Sequence, residues 1–260
     1  MTFTHLLESM HQVDQAWQVT ITDDWMQGRT TYGGLSAALC LQAVQNQFSE
    51  LPPLRSAQIN FIGPAGGKVS IKASIMRQGK SVTFICAEMF GEQGLATHAV
   101  FSFGAARDSK LDNVFIPTPQ VPSLEQSSDF FGNNPGPAFA KNFDCRMSIG
   151  EPPVSNSELS EFFIWAKHKD RAANTMVALL AVADMPPPAV LPMFKEFAPF
   201  SSMTWAMNFL CDKLQTKDRW WLMTSAAEHA KDGYSSQDMK IWNTEGELIV
   251  TGRQNVALFY

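Results

Sequence analysis

The sequence predicts an α+β protein made of two copies of one unit, each a long helix packed on consecutive antiparallel strands. The same order of helix and strand patterns recurs in both halves, and the segment AQINFI at residues 57–62 lies over WAMNFL at residues 205–210. The composition, 45% hydrophobic and 17% charged over 260 residues, is typical of a globular protein with a buried core. Placed edge to edge, the two sheets would form one continuous sheet that holds both helices.

The first unit is predicted over residues 1–105. Residues 4–10 have apolar positions at helical spacing, residues 17–21 alternate as in a strand, and the Leu/Ala/Val-rich run 35–48 indicates a buried helix. Segments rich in β-branched and aromatic residues, separated by glycine-containing turns, follow this helix. They predict four strands, at residues 56–62, 68–76, 81–90 and 95–103.

Residues 106–140 are rich in Pro, Ser, Asn and Asp, as in the segment 133–137, and are predicted to be a linker. The second unit is predicted over residues 141–260. In it, a buried helix at 172–183 follows two strand patterns and ends shortly before three consecutive prolines. The strands of this unit are predicted at residues 142–149, 160–168, 202–211, 220–229, 237–243 and 248–259.

Charge and hydropathy exclude several classes of protein. The net charge is -5 and no basic block occurs, so a nucleic-acid partner is not expected. The longest apolar stretches, 33–44 and 176–183, are shorter than the roughly 20 residues that span a bilayer, so no membrane span is expected. The N-terminus has no positively charged region followed by an apolar run, so we predict no secretory signal and a cytoplasmic location.

The cysteines are spaced far apart and form no Cys-x-x-Cys pair, so we expect reduced and mostly buried thiols. The histidines form neither a His-x-His nor a His-Glu-x-x-His pair, so a metal site has no support in the sequence. The four cysteines are Cys40, Cys86, Cys145 and Cys211.

Two familiar catalytic motifs are only partly matched. The segment 63–68 resembles a phosphate-binding loop, but its glycine-to-lysine spacing is one residue short and Val69 replaces the required Ser or Thr. The segment 34–38 resembles a nucleophile elbow, but Ala38 occupies the place of the second glycine. We therefore do not predict Ser36 as a nucleophile.

Asp184 is unusual because it follows eight apolar residues at the end of the second predicted helix. A carboxylate there must either emerge into solvent or lie in a pocket with specific partners. The first helix has no acidic residue, but it begins with Gly33 and Gly34, a pair that the second helix lacks. These complementary features suggest one composite site. Backbone N–H groups at a helix start can stabilise an oxyanion while a carboxylate orients or deprotonates water, which fits acyl transfer to water.

Three segments in this order resemble the double-hotdog type II acyl-CoA thioesterases: GRTTYGG at 28–34, ADMPPPAV at 183–190 and VTGRQ at 250–254. The resemblance covers essentially the whole chain. It implies that each unit is a hotdog, a long helix wrapped by an antiparallel sheet, and that the α+β fold is a double hotdog. It also implies hydrolysis of an acyl-CoA to a free acid and CoA, without a metal or redox cofactor.

In that family an Asp, a Thr or Ser, and a Gln hold the hydrolytic water. Asp184 matches the Asp, and Gln254 matches the Gln, whose amide can donate to or accept from water. Ser202 matches the hydroxyl position, with Ser201 and Thr204 left as alternatives. Thr204, also a candidate for substrate binding, is expected on the same face of the strand as Ser202.

The resemblance also concerns the substrate-binding residues and the number of sites. It implies that Gly33 and Gly34 lie near the thioester carbonyl. In the first unit, Phe101 or Ser102 stands where Gln254 stands in the second, which leaves a single complete site. The resemblance allows a homodimer or a higher homo-oligomer.

Two other functions are alternatives to hydrolysis. A double hotdog could bind acyl thioesters or fatty acyl groups without turnover. A thioester hydratase or dehydratase pairs an Asp with a His a few residues downstream, but no histidine occurs between Asp184 and His229. An apolar groove between the helices is expected for hydrolase and binding protein alike. The candidates for contacting the CoA phosphates, Arg29, Arg77 and Lys80, are not distinguished from ordinary surface residues.

Overall fold

The computed structural model describes residues 1–132 and 136–260, so residues 133–135 of the predicted linker segment 133–137 lie outside the described residues. The described chain forms a 13-stranded sheet that carries two central helices, which confirms the predicted α+β double hotdog. The helices are α1 (Phe3–Glu8), α2 (Gly33–Gln47) and α3 (Met176–Ala183).

Each predicted helix and strand is present, with ends shifted by a few residues. The strands of the first half are β1 (His11–Val13), β2 (Ala16–Ile21), β3 (Met26–Gln27), β4 (Thr30–Thr31), β5 (Leu54–Phe61), β6 (Gly67–Gln78), β7 (Val82–Gly91) and β8 (Gly94–Gly104). The strands that follow are β9 (Ser128–Asp129), β10 (Phe143–Ile149), β11 (Glu161–His168), β12 (Phe200–Phe209), β13 (Trp221–Lys231), β14 (Tyr234–Trp242) and β15 (Leu248–Leu258).

Four short strands were not predicted. They are β1, the small hairpin of β3 and β4, and β9, and each has only two or three residues, too few for alternation to be visible. Strand β9 lies inside the segment predicted as an irregular linker and pairs with β10. Part of that segment therefore extends the sheet of the second half.

The order of strands in the large sheet is symmetric about the junction of β5 and β12, except that β9 at one edge has no counterpart. It runs β1-β2-β6-β7-β8-β5-β12-β15-β14-β13-β11-β10-β9, and β5 and β12 join the two halves. The central cross-strand pairs are Ala57 with Met207, Gln58 with Ala206 and Ile59 with Trp205. Exchanging the two halves by the alignment of 57–62 with 205–210 reproduces the same pairs. The junction is thus an approximate twofold axis that relates the two copies.

Both copies also share an irregularity next to this junction. The register between β12 and β15 shifts at Met203, and the register between β5 and β8 shifts at Arg55, the equivalent position. Each shift is a β-bulge, in which one extra residue on one strand reverses the side-chain alternation. A feature present in both copies belongs to the repeated unit.

The two long helices form the centre of the core. Helix α2 buries residues on all sides, and seven of the eight residues of α3 are buried. A helix that is apolar around its whole circumference must be covered on every side. Thr175 caps α3, since its side chain accepts a hydrogen bond from the N–H of Ala178. The two helices pack against each other and against the sheet, and Asp184 directly follows α3.

All four cysteines are free thiols, of which Cys40 and Cys145 are buried and Cys86 and Cys211 partly buried. Within residues 1–132 and 136–260, no helix combines the length and apolar character that a membrane crossing requires.

Candidate active site

Asp184 faces the interior, between α3, the start of α2 and strand β15. The side-chain Nε2 of Gln254 donates a hydrogen bond of 2.9 Å to Oδ1 of Asp184. The backbone N–H of Gly34 also donates to this carboxylate. Asp184 is partly buried, so it retains some exposure to solvent. Of the two alternatives for Asp184, the structure has the pocket with specific partners.

Burial has a large effect on this carboxyl group. It raises the pKa of Asp184 to about 7, although the hydrogen bonds from Gln254 and Gly34 act in the opposite direction. Desolvation disfavours the charged form of an acid, and here it outweighs two donors that favour it. A carboxyl group with this pKa exchanges its proton near neutral pH, as a general base requires.

The glycine pair at the start of α2 allows this close approach. A Cβ atom on Gly33 would lie 2.7 Å from Oδ2 of Asp184 and 3.1 Å from the ring of Phe61. A Cβ atom on Gly34 would lie 2.4 Å from the backbone oxygen of Ala181 and 2.6 Å from the hydroxyl of Tyr32. At position 34 only glycine permits these distances, because the backbone of Ala181 cannot shift as a side-chain end can. The structure therefore brings both predicted glycines next to the predicted aspartate.

Tyr32 is a member of the site that the sequence did not identify. It precedes α2, stacks on Phe139 with ring centroids 4.0 Å apart, and donates a 2.6 Å hydrogen bond to the backbone oxygen of Ala181. Burial, and then the charge of Asp184, raise the pKa of its phenol well above the usual value. Tyr32 is therefore a neutral donor that ties the start of α2 to α3. The sequence could not reveal this contact, because it depends on how the two halves pack.

A second missed residue is Gln237 on β14. Its Nε2 donates to Oε1 of Gln254 at 2.9 Å, and its own Oε1 accepts from the backbone N–H of Ala189 at 2.8 Å. Gln237 is fully buried and Gln254 is 3% exposed. A continuous chain of hydrogen bonds thus runs from Ala189 through both glutamines to Asp184.

The sequence did contain a signal for Gln237. Along β14, Gln237 alternates in phase with the buried residues Met239 and Ile241. The predicted strand 237–243 contains all three positions. A polar side chain at an inward position of a strand needs a specific partner. Gln254, directly opposite on β15, provides it.

The candidates for the hydroxyl group lie on β12. Ser202 pairs with Val256 of β15, and Trp205 pairs with Gln254, so Ser202 is diagonal to Gln254 on the inner face. Diagonal neighbours on one face of a sheet are roughly 7–8 Å apart. Within the described chain, no hydrogen bond joins the Ser202 hydroxyl directly to Asp184 or Gln254. Ser201 is exposed.

The expectation that Thr204 shares a face with Ser202 is wrong. The bulge at Met203 shifts the register, so that Thr204 pairs with Asn255 on one side and Asn60 on the other. Thr204 is exposed and lies on the outer face of the sheet. Simple alternation places residues two apart on one face, and a bulge between them removes that relation.

The first half carries apolar residues at the corresponding positions. Ala57 of β5 corresponds to Trp205 of β12. Ala57 pairs with Phe101, and Trp205 pairs with Gln254. The counterpart of Gln254 is therefore Phe101 and not Ser102. By the same correspondence Ile85 matches Gln237, and Leu54 matches Ser202. All three are buried apolar side chains. The polar chain is present in the second copy and absent from the first.

A crevice with a mainly apolar lining lies between the end of α3 and the sheet. Its lining includes Ala183, Pro186 and the methionines Met207, Met223 and Met239. The expected groove between the helices is closed where Gly34 approaches the backbone of Ala181. Met side chains are flexible and fill irregular gaps, so this crevice can change its shape.

One charged residue, Lys240, also contributes to the lining of this crevice. The candidates for phosphate contact, Arg29, Arg77 and Lys80, are all exposed. Among the residues that the structure describes, no group of three or more His, Cys, Asp and Glu side chains is arranged to hold a metal ion.

Comparison with known proteins identifies related sequences and structures. The family model described as "Acyl-CoA thioesterase N-terminal domain" matches residues 21–104, and the one described as "Acyl-CoA thioesterase C-terminal domain" matches residues 118–258. No curated protein matches the chain.

Among solved structures, a conserved protein of unknown function with a hot dog fold from Alicyclobacillus acidocaldarius has a TM-score of 0.91 at 20% identity, over 100% of this chain and 99% of that one. A putative thioesterase II from Thermobifida fusca has a TM-score of 0.80 at 16% identity, over 100% and 98%. An acyl-CoA thioesterase II from Mycobacterium marinum has a TM-score of 0.79 at 16% identity, over 98% of both chains. These likenesses show the fold.

Proposed function

Since the chain belongs to the acyl-CoA thioesterase family and is a thioester hydrolase, we propose that it hydrolyses an acyl-CoA to a free acid and CoA, using a water molecule held by Asp184, Gln254 and Ser202. The observation that carries this proposal is the hydrogen bond between Gln254 and Asp184. It joins the Asp and the Gln of the family's site, which are 70 residues apart, around a carboxyl group with a pKa of about 7.

In the proposed mechanism, the Asp184 carboxylate accepts a proton from the water while the water oxygen attacks the thioester carbonyl carbon. The carbonyl electron pair moves onto oxygen and forms a tetrahedral oxyanion. The helix start at Gly33 and Gly34 lies beside Asp184 and is suited to stabilise this charge through its N–H groups and the helix dipole. Collapse of the intermediate breaks the carbon–sulfur bond, and the proton held by Asp184 passes to the CoA sulfur.

We propose that the acyl group lies in the crevice beside Ala183 and Pro186. The lining of this crevice is mainly apolar, and two of its residues, Ala183 and Pro186, are close to Asp184 in the sequence. Its three methionines can move aside for an alkyl or aryl chain without leaving an unsatisfied polar group. Chain-length preference would then depend on how far Met207, Met223 and Met239 can be displaced.

The assay that tests the function is release of free thiol from a panel of acyl-CoAs, from short to long chains and including aryl groups. Turnover of at least one of these substrates is expected, and the rates rank the acyl groups. Binding of several acyl-CoAs without thiol release would refute hydrolysis and favour the non-catalytic acyl-binding alternative.

The rate of hydrolysis is expected to rise with pH through about 7, because Asp184 must be ionised to accept a proton and burial raises its pKa to about 7. Tyr32, the titratable side chain beside Asp184, remains a neutral phenol over this range. The measurement is kcat/KM for one acyl-CoA from pH 5 to 9. A profile that is flat across pH 6–8 would contradict Asp184 as the base.

Ser202→Ala is expected to lower kcat by about tenfold or more, because the variant loses a hydrogen bond to the attacking water. Thr204→Val is the matched control, since Thr204 lies on the outer face of the same strand. Its kcat should remain within about twofold of the wild-type value. An equal loss in both variants would indicate damage to β12 and not the loss of a catalytic hydroxyl.

Three further expectations from the sequence are retained as proposals. The chain is divided into an N-terminal unit at 1–105, a linker at 106–140 and a C-terminal unit at 141–260 that carries the proposed catalytic residues. The protein acts in the cytoplasm. It assembles as a homodimer or a higher homo-oligomer, which light scattering can test.

A further inference from the structure

We propose that Gln237 is a positioning residue, which fixes the direction of the Gln254 amide so that its NH2 group, and not its carbonyl group, meets Asp184. The proposal rests on the proposed function only where it concerns turnover. It is based on the chain of hydrogen bonds from Ala189 to Asp184, whose direction is set by a backbone group.

The direction begins at Ala189, which directly follows three prolines and is fully buried. A backbone N–H can only donate, so the side-chain atom of Gln237 that lies 2.8 Å from it must be the carbonyl oxygen. The NH2 group of Gln237 therefore points the other way, toward β15. A partner that can only donate therefore decides which end of a glutamine amide, the oxygen or the nitrogen, faces it.

The same argument fixes the next amide. The NH2 group of Gln237 can only donate, so Gln254 must present its carbonyl oxygen to it, at 2.9 Å. The NH2 group of Gln254 is then left to face Asp184, at 2.9 Å. Each glutamine has one possible direction, and both directions follow from the backbone at Ala189.

Reversal of the Gln254 amide would place a carbonyl oxygen against the Asp184 carboxylate. This contact would repel the ionised form and favour the protonated acid, which cannot accept a proton from water. Without a polar partner at position 237, either end of the Gln254 amide would be unsatisfied there, so no contact at that position would fix which end meets Asp184. Gln237 thus acts on the reaction through Gln254.

The first copy of the unit shows that the fold does not need a glutamine here. Ile85 occupies the position equivalent to Gln237, and it is fully buried opposite Phe101. An apolar residue at this place in the sheet is therefore compatible with the fold. The glutamine occurs in the copy that also contains Gln254 and Asp184.

The test is the titration of Asp184 itself, monitored by carbon-13 NMR of protein labelled at the aspartate carboxyl groups. The Asp184 signal is assigned by its absence in Asp184→Asn. Gln237→Met removes the donor at nearly constant volume, and its Asp184 titration midpoint should rise by about one pH unit. Gln237→Glu should raise it further, because an ionised carboxylate accepts from both Ala189 and Gln254 and reverses the second amide. Thermal unfolding identifies which variants are folded.

Ser225→Ala is the matched control. Ser225 is fully buried on the neighbouring strand β13, and its hydroxyl has no partner within the part of the chain that the structure describes. Its removal should leave the midpoint of Asp184 unchanged. A purely structural role of Gln237 would lower the unfolding temperature without moving this midpoint.

Turnover gives a second measurement. In Gln237→Met, kcat at pH 7 should fall by about tenfold and the pH profile should move upward, while KM stays within about twofold. An unchanged midpoint in folded Gln237→Met and Gln237→Glu would overturn the proposal, whether or not the enzyme hydrolyses acyl-CoA. A shifted midpoint in a protein that hydrolyses no acyl-CoA would support the positioning role and refute the proposed function.

Discussion

Asp184→Asn is expected to reduce acyl-CoA hydrolysis by about 10³-fold, since a general base contributes roughly 10²–10⁴-fold and an amide cannot accept the proton. The substitution keeps the size of the side chain and an acceptor for the Gln254 amide, so acyl-CoA binding should persist. The measurements are thiol release and binding of a non-hydrolysable acyl-CoA analogue. Activity within tenfold of wild type would exclude Asp184 as the base.

The wild type and Asp184→Asn are also expected to differ in how their stability depends on pH. Between about pH 4 and pH 7 the folded Asp184 holds its proton while the unfolded one releases it. The folded state then binds more protons, so the free energy of unfolding falls as the pH rises through this window and levels off above about pH 7. Relative to Asp184→Asn, the wild type should lose up to roughly 4 kcal/mol across the window, since each unit of pKa difference corresponds to about 1.4 kcal/mol.

Urea unfolding at pH 4.5, 6 and 7.5 measures this difference. The control for general effects of pH is Asp238→Asn, which changes a partly buried aspartate that faces Lys240 on β14. If wild type and Asp184→Asn had parallel stability curves, Asp184 would not have the raised pKa that the mechanism uses.

Gly34→Ala is expected to destabilise the protein by roughly 3 kcal/mol, because the new methyl group overlaps the backbone of α3. The Cβ atom would lie 2.4 Å from the oxygen of Ala181 and 2.6 Å from the hydroxyl of Tyr32. Neither the backbone oxygen nor the stacked ring can move without separating the two helices. Thermal and urea unfolding measure the loss.

Gly33→Ala, one residue earlier, is the matched comparison. Its Cβ atom would meet the ends of two side chains, Asp184 at 2.7 Å and Phe61 at 3.1 Å, and not the backbone. We therefore expect a smaller loss of stability with a loss of activity of about tenfold or more, since Asp184 must move. Wild-type stability in Gly34→Ala would contradict the observed contact between α2 and α3.

The fold could be predicted almost completely from the sequence, for a physical reason. Helix and strand periods are local properties, and both copies display them, so each copy supports the assignment of the other. The alignment of 57–62 with 205–210, which indicates the duplication in the sequence, relates the cross-strand pairs at the centre of the sheet to one another. The short strands β1, β3, β4 and β9 were missed because a period needs more residues than they contain.

The candidate site was only partly predictable. The contact between Asp184 and Gln254 agrees with the resemblance, which carries information on distant contacts that periodicity lacks. The bulge at Met203 is invisible in the pattern of β12, so Thr204 was placed on the wrong face. The contact of Tyr32 with Ala181 spans 149 residues, and no local pattern indicates it.

The difference between the polar and apolar copies has a consequence for how such a protein can change. In a dimer of two identical chains, every substitution occurs at both symmetric positions. Such a dimer cannot have a glutamine at one position and a phenylalanine at its symmetric equivalent. Fusion of the copies into one chain removes this restriction. A polar residue can then occupy position 254, while Phe101 at the equivalent position of the first copy stays buried in the core. The proposed site then occurs once per two repeats, so a substrate analogue should bind with a stoichiometry of one per chain.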